Sequence, residues 1–140
     1  MLREASISQM KSMQIPKESR VLVNRGRGND ELAPSDELFA LYNSTRGKLE
    51  PTLGKGSAEA HNQAFLDMGY EDKFRKQILE DPSAMARLEE LSRLAESEDI
   101  YLVCYEGPLK ACHRRILMRI AEETFNARID IEGVEPKNLD

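Results

Sequence analysis

Apolar residues fall into strand-like runs near both ends of this chain and into helix-like stripes between them. "LREASIS" (residues 2–8) reads as a first strand, though its alternation is imperfect. "RVLVNRGRG" is clearer: Val21, Leu22 and Val23 form a β-branched-rich run closed by Gly26 and Gly28. "DIYLVCY" (99–105) is the strongest strand signal. It is continuously apolar, as expected of a strand covered on both faces in a parallel sheet. "ARIDIEG" (127–133) predicts a last short strand.

Helical periodicity fills the interior. Ser35 is a candidate N-cap, with Asp36 and Glu37 at the positive end of the helix dipole and Leu38, Phe39, Leu41 and Tyr42 as the apolar face. "TRGKLEPTLGKGS" (45–57) has enough Gly and Pro to predict a long loop. The pattern resumes at Ala58 with His61, Ala64, Phe65 and Met68 on one side, and Gly69 bends or ends it. Here His61 is expected in the core or on the helix surface. Phe74 and Ile78 continue the stripe. Asp81 caps a further helix with Pro82 at its first position, and Met85, Leu88, Leu91, Leu94 and Ala95 form its core stripe. A last helix carries Ile116, Leu117, Ile120 and Ala121. It starts either near Gly107 and Pro108 or later, near Cys112. Strands alternating with helical stretches predict a small three-layer α/β domain with a mainly parallel sheet and right-handed crossovers.

Composition narrows the picture. The 140 residues fit a single α/β domain over residues 1–132, with 133–140 as a C-terminal tail. No stretch approaches the roughly 20 apolar residues of a membrane span. "MLREASISQM" lacks the apolar core of a secretory signal. Two cysteines are too few for a disulfide framework, so a reducing, cytoplasmic setting is expected. The formal net charge of −5 argues against broad contact with nucleic acid or an anionic membrane.

Against that acidic background two basic islands stand out. One is "RGRG", Arg25 to Gly28; the other is "YLVCYEGPLKACHRRIL" (101–117). The second also holds both cysteines, Cys104 and Cys112, and His113. In open α/β sheets ligands gather beyond the carboxyl ends of the strands, and helix N-termini attract anions. Arginines at a helix start are unfavourable unless something negative is near. Arg114 and Arg115 therefore call for either a bound anion or a carboxylate of the protein itself. Two parallel strands would bring Arg25 and Arg27 to the same edge.

Each group also has a plainer reading. Cys104 fits as a small apolar residue ending a buried strand, and Cys112 fits the apolar stripe of 112, 116 and 120. As functional groups they are thiols made acidic by nearby cations, or a reversible disulfide pair. A phosphatase-type loop is excluded, because the sixth residue after Cys104 is Lys110 rather than Arg. The spacing of Cys104, Cys112, His113 and Glu106 matches no zinc-finger pattern, so no metal and no cofactor are expected. His113 is a candidate base or hydrogen-bonding group, with Glu106 orienting it or pairing with Arg114.

At "LVCYEGPLKACHRRIL" the chain resembles the domain of unknown function 488 family, in which a strand-end Cys is followed by a short loop and by Cys-His-Arg opening a helix. The resemblance maps Cys104 onto the first cysteine, Cys112, His113 and Arg114 onto the triplet, and Glu106 onto a frequent Glu. "VNRGRGNDELAPSDEL" is similar to a second segment, in which Arg25 matches a strand-end arginine while Asn24 stands where members have an acid. The resemblance implies a compact α/β domain and hands over no reaction.

The expectation is thus a protein that binds or acts on a phosphate-bearing or other anionic small molecule. Cys104, His113 and Glu106 are the catalytic candidates. Arg25, Arg27, Cys112, Arg114 and Arg115 are the ligand-binding ones. A nucleic-acid or partner-binding module and a thiol redox sensor are the alternatives; oligomeric state and whether turnover occurs stay open.

Overall fold

The computed structural model describes residues 1–135. Three parallel strands, β1 (Leu2–Ser6), β2 (Arg20–Leu22) and β3 (Ile100–Cys104), form one sheet in the order β1-β3-β2. The apolar run of β3 is explained by its central place: Ser6 pairs with Cys104 on one side and Leu22 with Val103 on the other. All three strands therefore end on the same edge.

Side chains alternate across this sheet, and the two faces are covered unequally. Ala5, Val103 and the half-buried Leu22 and Tyr101 pack with Met10 and Ile15, on and just after a short helix α1 (Ile7–Ser12). Ser6 caps α1 in a reciprocal pair with Gln9. On the other face Leu2, Val21, Val23, Ile100, Leu102 and Cys104 meet the main core. That core is built from α2 (Asp36–Leu53), α3 (Ala58–Asp67), α4 (Tyr70–Leu79), α5 (Pro82–Leu94) and α6 (His113–Phe125). The expected three-layer α/β arrangement is present, with one thin layer. No described helix is long and apolar enough to cross a membrane.

Local signals explain most element starts. Ser35 Oγ accepts from Leu38 N, Ser57 Oγ from Ala60 N and Asp81 Oδ1 from Ser83 N. Gly69 adopts φ +64°, the left-handed region that separates α3 from α4.

Three expectations are corrected, and the start of the last helix, which the sequence left open, is decided. Residues 45–53 are not loop: α2 runs through Gly47 and Pro51 to Leu53. Tyr42 and Leu49 pack into the core, and this tertiary support outweighs poor local propensity. Pro51 lies in the last turn, where it removes a single helical bond. The 127–133 strand shrinks to one parallel bridge, Leu2 to Ile129. The last helix starts at His113, with Cys112 in the N-cap position and extended. On α2 only Leu38 and Tyr42 are buried, while Phe39 and Leu41 stay exposed.

Residues 133–135, expected as tail, pack onto the domain. Val134 N donates to Pro108 O, and Arg119 forms a bidentate pair with Glu135. Residues 136–140 lie outside the described chain. Gly133 passes so close to Arg115 that a Cβ would sit 2.0 Å from Nη2. Gly133→Ala is therefore expected to lower stability by about 1–3 kcal/mol through overpacking, read as an unchanged m-value with a lower midpoint in urea.

Candidate functional site

The carboxyl ends of β2 and β3 and the start of α6 enclose a cavity of about 300 Å³. Asn24, Arg25 and Arg27 line it from the loop after β2; Cys104, Tyr105 and Glu106 from the end of β3; Ala111, Cys112 and His113 from the entry to α6. Phe39, Tyr42, His61, Phe65 and Tyr70 supply an aromatic wall from α2, α3 and α4. His61 stacks on Phe65, which stacks on Tyr70 at 3.9 Å between centroids.

Three potential ligand atoms converge on this cavity. One from each of Cys104, Cys112 and His113 lie within 4.8 Å of one another, and all three residues are buried. His113 Nε2 is 2.9 Å from the Val23 carbonyl, which can only accept, so this nitrogen carries a proton. That leaves Nδ1 facing Cys112 Sγ at 3.7 Å. The backbone of β2 thus sets the imidazole for exchange of a proton with Cys112. Glu106 does not: it contacts neither His113 nor Arg114 and stands half-buried in the cavity wall.

The two arginines of the motif are turned inward. Arg114 and Arg115 are each only 1% exposed. Both donate Nε to Oε1 of Glu4, at 2.9 and 3.0 Å. Glu4 points inward from β1 and accepts at Oε2 from Arg115 Nε and from the amides of Glu132 and Gly133. Burial alone would push the Glu4 carboxyl up, but the Arg115 bond and both guanidinium charges hold it below its ordinary value. Arg115 is further occupied by the carbonyls of Lys110, Val134 and Gly107. Arg114 is less so: its Nη1 is buried and has no partner. The anion held by this pair is therefore a carboxylate of the protein, and neither arginine lines the cavity.

Two guanidinium charges against one carboxylate leave this buried cluster one positive charge in excess. Cys112 is placed to offset it. Burial pushes the Cys112 thiol up, yet hydrogen bonding from Cys104, His113 and the charge of Arg114 bring it well below the ordinary 9.0. Cys104 goes the opposite way, because donating to Cys112 and being buried both favour its protonated form. Of the two sulfurs, Cys112 is thus the one whose surroundings favour the thiolate, with Cys104 as its donor and the positive end of α6 beside it.

A family model, DUF488-N3a, described as the active DUF488-N3 subclade, matches residues 15–124. The chain belongs to the DUF488 family. Neither the curated proteins nor the solved structures that were searched contain a match.

In this DUF488 domain the predicted residues separate into two groups. Cys104, Cys112, His113, Glu106, Arg25 and Arg27 share the cavity; Arg114 and Arg115 lie behind it. Arg25 is half-exposed and partly engaged, by the Pro34 carbonyl at 2.7 Å and Asp36 at 3.3 Å. Arg27 is exposed, and no ion pair or hydrogen bond engages it among the described residues. A cation at the mouth with nothing to neutralise it is the cheapest group for an incoming anion to recruit.

Sequence reasoning did not identify four residues of the site. Tyr42 and His61 form a chain in which the Tyr42 hydroxyl meets His61 Nδ1 at 2.6 Å and His61 Nε2 meets the Ala111 carbonyl at 2.6 Å. Burial pushes the His61 imidazole down, which keeps it neutral and donating to Ala111, the residue before Cys112. Asn24 is buried with an unpartnered Oδ1 beside the cavity. Glu4 is the most legible of the four, as the one acid of β1, on the same face as Leu2. The others carry no sequence signal, because polar residues on a core stripe look the same whether or not a cavity lies beneath them.

Proposed function

We propose that this DUF488 domain binds, and acts covalently on, a small molecule carrying a phosphate or another anionic group. The observation that carries this reading is the placing of the Cys112 sulfur, with His113 Nδ1 at 3.7 Å, in the lining of a cavity that Arg25 and Arg27 also line. The two rim arginines take the anionic group, by charge-assisted hydrogen bonds. The aromatic wall takes the rest of the molecule. Cys112 is the nucleophile rather than Cys104, because the cations, the helix end and the imidazole all serve its sulfur. Cys104 donates a hydrogen bond to that thiolate, and Glu106 remains for acid–base work on the ligand. Arg114, Arg115 and Glu4 act as positioning residues, setting the charge that Cys112 answers. The word active in the family's description agrees with turnover. Nucleic-acid or partner binding has less to support it, since the 45–57 segment is mostly α2 and offers no long loop for such contacts.

Binding is testable by thermal shift with inorganic phosphate, adenosine and adenosine monophosphate. Phosphate-bearing probes are expected to raise the melting temperature of the native chain, and adenosine much less. In Arg25→Ala/Arg27→Ala their apparent affinity is expected to fall by at least about tenfold. Equal responses of the native and double-variant chains would reject the rim as the anion site.

A further inference from the structure

We propose that Cys112 and Cys104 form a peroxidatic and resolving pair, which reduces a hydroperoxide at the cavity floor and closes as an intramolecular disulfide. This goes beyond the ligand reading and shares with it only Cys112 as the nucleophile; the rim arginines play no part in it.

The geometry points there first. The two sulfurs lie close enough for one to attack the other, within 4.8 Å, and both are free thiols. They are held by different elements, Cys104 ending β3 and Cys112 preceding α6. Rotation of either side chain can bring them toward the bond length of about 2.05 Å. Both open into a cavity large enough for a hydroperoxide of modest size.

The roles of the pair follow from their surroundings. Cys112 has His113 at 3.7 Å and the charge of Arg114 beside it, while Cys104 is its protonated neighbour. Arg114 Nη1 is a buried cationic donor with no acceptor, and such a group normally finds one. A negative oxygen developing at Cys112, in a sulfenate or a departing alkoxide, is favoured by that charge as the thiolate is. The same cluster disfavours a metal on these three groups. A divalent ion bound by two thiolates would leave its charge balanced only by those thiolates, and the positive excess of Arg114, Arg115 and Glu4 would remain unanswered.

The chemistry balances as follows. The Cys112 thiolate attacks the terminal oxygen of the hydroperoxide; an S–O bond forms and the O–O bond breaks. The alkoxide leaves and takes the proton that the Cys112 thiol gave up, relayed through His113 Nδ1, giving an alcohol and the sulfenic acid of Cys112. Cys104 then attacks the Cys112 sulfur; an S–S bond forms and the S–O bond breaks. The departing hydroxide takes the Cys104 proton and leaves as water. Two sulfurs are oxidised and one peroxide is reduced, and an external dithiol restores the pair.

The test uses the full chain, fully reduced, with hydrogen peroxide as the probe. The native protein is expected to lose both thiols and the mass of two hydrogens, as a monomer on a non-reducing gel. The rate is expected to exceed that of free cysteine by at least about tenfold. Cys104→Ser is expected to stop one oxygen heavier and to be trapped by dimedone, while Cys112→Ser consumes no peroxide above background. If either variant misfolds by circular dichroism, the native chain still decides the matter by peptide mapping of the linkage. Oxidation no faster than free cysteine, a disulfide only between chains, or purification with zinc in place of free thiols would overturn the proposal.

Discussion

Replacing Glu4 by Ala is expected to destabilise the domain by about 3–5 kcal/mol, the usual cost of stranding a buried charge by removing its partner. Two guanidinium groups, each 1% exposed, meet at this one carboxylate. Removing it leaves both cations in the core, with the amides of Glu132 and Gly133 unbonded as well. Glu4→Gln keeps the shape and an acceptor but not the charge, so it should fall between Ala and the native residue. Chemical denaturation at neutral pH measures both, and a loss under about 1 kcal/mol for Glu4→Ala would show that the cluster is not held in this way.

The same residue predicts a pH dependence. The Glu4 carboxyl lies below its ordinary 4.5 in the folded chain. A group with a lowered folded value stabilises the protein fully above its unfolded value, and that part is lost as pH falls through the folded one. Native stability should therefore decline below about pH 4.5. In Glu4→Gln that component should be missing, leaving a flatter acid limb. Parallel acid limbs for the two proteins would count against the lowered value.

The second large effect is on thiol chemistry. Iodoacetamide labelling of Cys112 is expected to stay nearly constant as pH falls toward and below neutrality. An ordinary thiol loses about tenfold in thiolate, and hence in rate, for each unit below its own titration point. Cys112→Ser should lower labelling in this range by at least about tenfold, because Cys104 lacks the His113 contact that Cys112 has and burial favours its thiol form. Thiolate absorbance, followed through the same titration in the native chain and in Cys104→Ser, gives an independent reading. A single transition near the ordinary 9.0, with labelling that tracks it, would remove Cys112 as nucleophile.

The two effects are linked through Arg114. It bonds Glu4, and its charge acts on both sulfurs, so the internal ion pair and the reactive thiol pair share one charge balance. A change at Glu4 mild enough to leave the fold intact should therefore shift the Cys112 titration as well. In Glu4→Gln the excess positive charge grows, and the thiolate should form at still lower pH.

Much of this was legible from the chain. The apolar run 100–104, the caps at Ser35 and Asp81 and the stripes of α3, α5 and α6 mark elements by local rules, which need no distant partner. The Cys-His-Arg opening of α6 marked the site for the same reason, since the helix start places three reactive types within one turn. The 45–57 segment was misread because Gly47 and Pro51 weaken a helix locally, whereas the packing of Tyr42 and Leu49 is a long-range gain.

What the amino-acid order determined by itself was therefore most of the elements, their parallel sheet and the edge where thiols and cations collect. Which cation serves what was decided only in three dimensions. Arg114 and Arg115 look like ligand-binding residues until β1 brings Glu4 beneath them, 110 and 111 positions away in the chain. Arg25 and Arg27 look alike until the loop after β2 engages Arg25 with Pro34 and Asp36 and leaves Arg27 alone at the cavity mouth. Charge is compensated by whatever lies nearest in space, and the spacing of residues along a chain carries no record of that distance.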